Sequence, residues 1–250
     1  MTNRRSLQAW MLLGTFLVPA LAQDVPHDWS YDSATGPEHW GDLNPAYSTC
    51  KTGRAQSPID ISNPTSESLP AIHFEYKSSP LKIIDTGHTV QANYSAGSFV
   101  SVGGIRYELK QFHFHHPGEE RILGKSYPMV LHLVHADREG KLMVVAVPLK
   151  SGAASTTIHA IWTHFPKIKG VEQDISGTQL NAADLLPHDV RYFTYSGSLT
   201  TPPCTEGVTW IVLKTPVAIS AEQINAFGAI YPHNARPLQP TGDRVVKSSR

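Results

Sequence analysis

A single α+β domain dominated by β-sheet is the fold this sequence predicts, and three observations predict it. Between Leu81 and Lys150, short runs rich in β-branched and aromatic residues alternate with turn residues. Helical patterning is confined to two stretches, 155–165 and 220–230. No internal repeat, low-complexity tract or interdomain linker interrupts the 250 residues, a length that suits one domain with a substantial core.

The first segment, Met1 to Ala22, reads as an export signal. Arg4 and Arg5 precede an apolar run from Ala9 to Val18, and Ala20 and Ala22 flank Leu21. This arrangement suggests cleavage before Gln23, with an uncleaved anchor as the alternative, and the Arg pair also admits a twin-arginine route. The run is shorter than the about 20 apolar residues of a spanning helix. The domain is therefore read as Gln23–Arg250, exported to a periplasm or secreted. Asn63 to Ser68 is a polar edge. Strands are expected at Val90–Tyr94, Ser98–Val102, Tyr107–His116, Met129–Ala136 and Leu142–Leu149. Ala96-Gly97 and Gly103-Gly104 supply turns, and Glu139-Gly140 between two apolar runs reads as a hairpin. Ser155–Phe165 is stopped as a helix by Pro166, and Ser220 can cap a second helix reaching Ile230. Thr241–Arg250 is read as a loose polar tail.

Charge excludes one class of function. Lys and Arg total 21 against 21 Asp and Glu, and no basic stripe is available for nucleic-acid phosphates. With 18 Gly and 19 Pro, collagen-like and disordered chains are excluded too. No long apolar run follows the signal, so no stable membrane insertion is expected. Cys50 and Cys204 lie far apart; after export an even count favours one disulfide, with two buried thiols as the alternative. Closing so long a loop contributes about 4–5 kcal/mol in the chain-entropy model. The unusual feature is 13 His, since imidazole is both the commonest metal ligand and a proton carrier near neutrality.

Gln111-Phe112-His113-Phe114-His115 alternates, so in a strand His113 and His115 share one face and Phe112 and Phe114 the other. A second strand carries Leu131-His132-Leu133-Val134-His135. Antiparallel pairing of the two would bring His132 beside the pair. Three imidazoles on one rigid face can hold Zn2+ and leave a fourth tetrahedral position for water. The alternative is a polar strand face with solvated histidines. The apolar surroundings disfavour it, because buried imidazoles need partners.

With these residues in view, the chain resembles the α-class carbonic anhydrases of secreted and periplasmic bacterial type. The resemblance rests on eight blocks in the family's order. They are Trp29-Ser-Tyr31, Gly36-Pro-Glu-His-Trp40-Gly41, Gln56-Ser-Pro-Ile-Asp-Ile61 and Gly87-His88-Thr89. Then come Gln111-Phe-His-Phe-His115, His132-Leu-Val-His135, Ser198-Leu-Thr-Thr-Pro-Pro203 and Asn234-Ala-Arg-Pro237. It implies a central, twisted, mainly antiparallel sheet with the metal in a conical cleft. It also implies a disulfide between Cys50 and Cys204.

The implied activity is reversible hydration of CO2 to bicarbonate and a proton by zinc-activated hydroxide. The ligands are then His113, His115 and His132, and the metal lowers the pKa of its water to about 7. Thr200 matches the threonine that accepts a hydrogen bond from the nucleophile. Glu119 matches the carboxylate that takes the threonine proton. Val134, Val144, Leu199 and Trp210 match an apolar wall for CO2, though core packing alone also explains them. Thr201 matches a neighbouring cleft residue that touches bicarbonate. His88 matches the histidine that carries protons to buffer, with Tyr31 ordering the intervening waters. A member that has lost catalysis or binds metal weakly is the alternative function, and the intact ligand set argues against it. No H-E-x-x-H occurs, which argues against a common zinc peptidase.

The resemblance breaks beneath the metal. Gln111 matches the support of His113, and the backbone near Asn234 would serve His115. For His132 the family usually supplies a glutamate two residues earlier, where this chain has Val130. The family's histidine after the gatekeeper glutamate is here Glu120. Glu120 is therefore expected to reach across to His132 in place of the missing carboxylate, the alternative being that Val130 leaves the metal loosely held. His27, His73, His116, His159, His164, His188 and His233 are read as non-ligands.

Overall fold

The computed structural model describes residues 29–250. The signal segment Met1–Ala22, the cleavage point before Gln23, and His27 lie outside the described residues. Four α-helices are present among those residues, α1 (Trp40–Leu43), α2 (Thr49–Thr52), α3 (Thr156–Trp162) and α4 (Ala221–Gly228). The strands begin with β1 (Asp60–Ile61), β2 (Thr65–Glu67), β3 (His73–Glu75), β4 (Ser79–Asp85) and β5 (Val90–Asn93). Next are β6 (Phe99–Val102), β7 (Ile105–His115), β8 (Arg121–Ile122), β9 (Met129–Ala136) and β10 (Leu142–Ser151). The last are β11 (Gln173–Leu180), β12 (Tyr192–Ser198), β13 (Glu206–Leu213), β14 (Val217–Ile219) and β15 (Lys247–Ser249).

Thirteen strands form one sheet, whose main path runs β11-β4-β5-β7-β9-β10-β13-β12-β15-β2. Most pairings are antiparallel, while β10–β13, β10–β14 and β15–β2 are parallel. The sheet is therefore mixed, and the sheet-dominated α+β reading holds. Its centre, β7-β9-β10, is buried on both faces. One face packs Phe112, Phe114, Leu131, Leu133, Val145 and Val147 against Ile158, Ile161 and Trp162 of α3 and Phe227 of α4. The other gathers Ile59, Val130, Val144, Tyr195 and Trp210. Each such large side chain contributes roughly 1.5–3 kcal/mol on burial.

Local chemistry explains the element ends. Ser220 and Gln223 form a reciprocal capping box that starts α4, and Ser155 accepts from the Ile158 amide to start α3. The expected hairpin closes with Asp137 Oδ1 accepting from the amides of Glu139 and Lys141. Gly140 sits there at φ 81°, a left-handed conformation suited to glycine.

One expectation needs correction. The tail from Thr241 is not loose: β15 pairs with β12 and with β2, which lies in the polar edge 63–68. Val246 is buried beneath it, and Lys247 pairs with Glu67. Main-chain pairing holds this strand, and polar side chains conceal such pairing from sequence reading. In β7 the expected alternation of residues 111–115 holds, and the structure adds a bulge before it. The register shifts between Leu109 and Gln111, so one extra residue of β7 stands against β9. That bulge reverses the side-chain parity. Leu109 and Phe112 consequently both face the large core, and His113 and His115 turn to the opposite face.

Candidate metal centre

The antiparallel register sets His113 directly opposite His132 across β7 and β9, with His115 opposite Val130. Directly opposed residues of neighbouring strands project from the same sheet face. One ligand atom from each of His113, His115 and His132 lies within 4.8 Å of the others. Among the described residues this is the group able to hold a metal ion; His73, His116, His159, His164, His188 and His233 do not join it.

Each imidazole is anchored through one nitrogen. His113 Nδ1 lies 2.8 Å from Gln111 Oε1, and His115 Nδ1 lies 2.7 Å from the Asn234 carbonyl. His132 Nε2 lies 3.1 Å from Glu120 Oε1. In each case the anchoring oxygen can only accept, so the ring nitrogen donates. The lone pairs left to converge are Nε2 of His113, Nε2 of His115 and Nδ1 of His132. His115 Nε2 is buried without a protein partner, an expensive arrangement unless something else takes the lone pair. A neutral tridentate imidazole set with fixed tautomers fits a divalent ion such as Zn2+.

Electrostatics separate the three rings. Burial, then the neighbouring His132, pushes His113 down to about 3. The same causes hold His115 well below its ordinary value. Burial alone would lower His132 as well, but the charge and hydrogen bond of Glu120, with help from Glu119, outweigh it and raise its pKa. Burial thus disfavours a proton on two of the rings, while Glu120 supports the third by accepting the hydrogen bond of its Nε2–H.

Glu119 is fully covered, and burial pushes its carboxyl up to about 7 against the lowering influence of nearby groups. Its Oε1 accepts from the Arg236 amide at 2.8 Å. The Thr200 hydroxyl is close enough to lower its pKa, although Oε2 has no partner at full hydrogen-bonding distance. The Arg236 guanidinium donates to Gln56 Oε1, the Ser57 carbonyl and the Cys50 carbonyl. Gln56 in turn donates to the Cys204 carbonyl. Cys50 and Cys204 are joined in a disulfide across 154 residues, which ties α2 to the loop that carries Thr200.

The expected wall residues come together. Val134 and Val144 face each other across β9 and β10, and Val144 faces Trp210 across β10 and β13. Leu199 packs against the same cluster, and the Trp210 ring lies 5.0 Å from that of His132. Thr201 is half-buried, its carbonyl accepting from the Cys204 amide. His88 stacks on Trp29 at 3.5 Å between centroids, and Tyr31 meets His88 edge-on at 6.4 Å. Burial raises the Tyr31 pKa well above the ordinary phenol value, so it stays protonated at neutral pH.

Three residues with evident parts escaped sequence reading. Arg236 stood within a quoted block without a role, and only long-range contacts reveal it. Trp29 likewise gains its part through the stack on His88. Gln91 lies directly opposite His113 on β5 and therefore on the metal face; its alternation with Ala92 was the available signal.

Comparisons with known proteins agree with this geometry. The sequence model of the family described as eukaryotic-type carbonic anhydrase matches residues 35–250. A carbonic anhydrase of Nostoc sp. is 43% identical over 233 residues, covering 91% of this chain and 88% of the relative. A solved hyperthermostable carbonic anhydrase from a hydrothermal vent chimney superposes with TM-score 0.86 at 45% identity, covering 89% of this chain and 100% of its own. The Thermovibrio ammonificans α-carbonic anhydrase, solved with sulfanilamide, gives 0.85 at 40% identity, covering 89% and 98%.

Proposed function

This chain belongs to the eukaryotic-type carbonic anhydrase family, and from that membership we infer that it is an enzyme catalysing reversible hydration of CO2 to bicarbonate and a proton. The observation that carries the reading is the convergence of three anchored imidazoles on one point. We propose Zn2+ as the ion they hold. When bound, zinc supplies water activated for nucleophilic attack near neutral pH.

The chain's own residues then do four things. His113, His115 and His132 present neutral lone pairs in fixed tautomers. Glu119, held by the Arg236 amide, acts as acceptor for the Thr200 proton. The Thr200 oxygen is thereby left to accept a hydrogen bond from the attacking oxygen, which aims its free lone pair at carbon. Val134, Val144, Leu199 and Trp210 form the apolar surface for a substrate that has neither charge nor dipole, and Thr201 lies where product bicarbonate leaves. His88 takes the released proton through water ordered by Tyr31 and passes it to buffer, a role for which imidazole chemistry is suited.

In this reading residues 1–22 are an export signal and 23–250 the catalytic domain. The disulfide supports passage through an oxidising compartment. No helix among the described residues is long and apolar enough to cross a membrane, and the partners proposed are CO2 and bicarbonate alone. Stopped-flow CO2 hydration with parallel metal analysis tests the assignment. The expected result is one zinc per chain, activity abolished by a chelator and restored by Zn2+. Full activity in a zinc-free preparation would overturn it.

A further inference from the structure

We infer that Glu120 holds His132 in its metal-binding tautomer and sets how tightly the site retains its ion, a positioning role supplied by a connecting loop rather than by the strand that carries the histidine. The inference rests on the zinc reading above.

His132 Nε2 and Glu120 Oε1 are 3.1 Å apart, and both side chains are 2% exposed. Water is excluded from this contact, so the carboxylate is the acceptor available to Nε2. Donation there leaves the Nδ1 lone pair free to face the metal and raises its basicity. The strand offers no substitute. Val130 shares the His132 face, two residues earlier, and is packed with Ile122 and Tyr127 in an apolar cluster. Glu120 enters instead from the connection between β7 and β9, and that connection is held on both sides. Before it, the Gly118 amide donates to the Tyr127 carbonyl at 3.0 Å. After it, Arg121 and Ile122 pair with Asp60 and Ile61 as β8 and β1. A buried anion on a short, pinned segment has little freedom to leave its partner.

Glu119 approaches the other edge of the same ring, its Oε2 3.8 Å from His132 Nδ1. The two consecutive carboxylates therefore serve different atoms. Glu120 accepts the hydrogen bond of the ring N–H, while Glu119 accepts from the Arg236 amide and lies near Thr200.

The test uses the full chain loaded with zinc and two variants, Glu120→Gln and the double variant Glu120→Gln with Val130→Glu. The first keeps an oxygen acceptor and removes the charge, while the second returns a carboxylate to the same face from the strand. Zinc release to a competing chelator and the imidazole N–H proton resonance of His132 are measured alongside circular dichroism. Release about 10–100-fold faster in Glu120→Gln, with a shifted resonance, is expected, and the double variant should recover most of the difference. A wild-type release rate with an unshifted resonance in Glu120→Gln overturns the inference. If Glu120→Gln does not fold, Glu120→Asp carries the same test: accelerated release supports the role and an unchanged rate overturns it. Absence of zinc from the wild-type chain would strike the functional reading instead, and this inference with it.

Discussion

His132 and His135 stand three residues apart on one strand, 1% and 0% exposed, and have opposite chemistry. His132 faces the metal centre, where Glu120 and Glu119 raise its pKa despite burial. His135 faces the large core, where it meets the Tyr76 hydroxyl at 2.7 Å through Nε2. No side chain meets its Nδ1, and burial, opposed by the backbone of Met143 and Leu133, pushes its pKa down to about 3. Burial is thus common to both. What distinguishes a chemical imidazole from a space-filling one is the company of anions and of convergent donors.

The comparison is broken most directly by removing each ring in turn. His132→Ala should weaken metal binding by about 10³-fold or more, on the order of 4 kcal/mol, with hydration falling to background; zinc content after dialysis checks it. His135→Ala should retain one zinc per chain and normal activity per zinc. Its loss appears instead in stability, about 2–4 kcal/mol from the cavity and the stranded Tyr76 hydroxyl, read by chemical denaturation. Loss of zinc from the His135 variant would show that the two faces are coupled.

A smaller effect sharpens the contrast through pH. The folded pKa of His135 is about 3, below its unfolded value of about 6.5. Between these values the unfolded chain binds a proton that the folded chain refuses. The stability held above about pH 6.5 is therefore lost as pH falls, at about 1.4 kcal/mol per unit, or roughly 2 kcal/mol by pH 5. Unfolding free energies of metal-free wild type and His135→Gln, compared from pH 7 to 5, should diverge by this amount. Parallel profiles would mean that His135 is not held neutral by the core.

Much of the site was legible because its information is local. The His-x-His alternation and the His132 strand identify three ligands, and the ordered blocks imply Thr200, Glu119 and His88. The departures from the family pattern at Glu120 and Val130 also pointed to the carboxylate beside His132. What stayed hidden was non-local. Arg236 acts by donating to the carbonyls of Cys50 and Ser57 and, through its own amide, to the Glu119 carboxylate, partners that no spacing rule joins. The terminal strand Lys247–Ser249 was hidden for the same reason, since its order comes from main-chain pairing with distant strands.

The sequence by itself determined the fold class and the residue types able to hold a metal, because alternation and composition are properties of short segments, while the family resemblance implied the departure beneath the metal. Tertiary structure alone decided which nitrogen of each imidazole is free, since that depends on Gln111, Asn234 and Glu120 arriving from separate directions. It also decided which face the ligands take. The bulge after Leu109 reverses the parity of β7, and an extra residue is defined only by the partner strand against which it is counted.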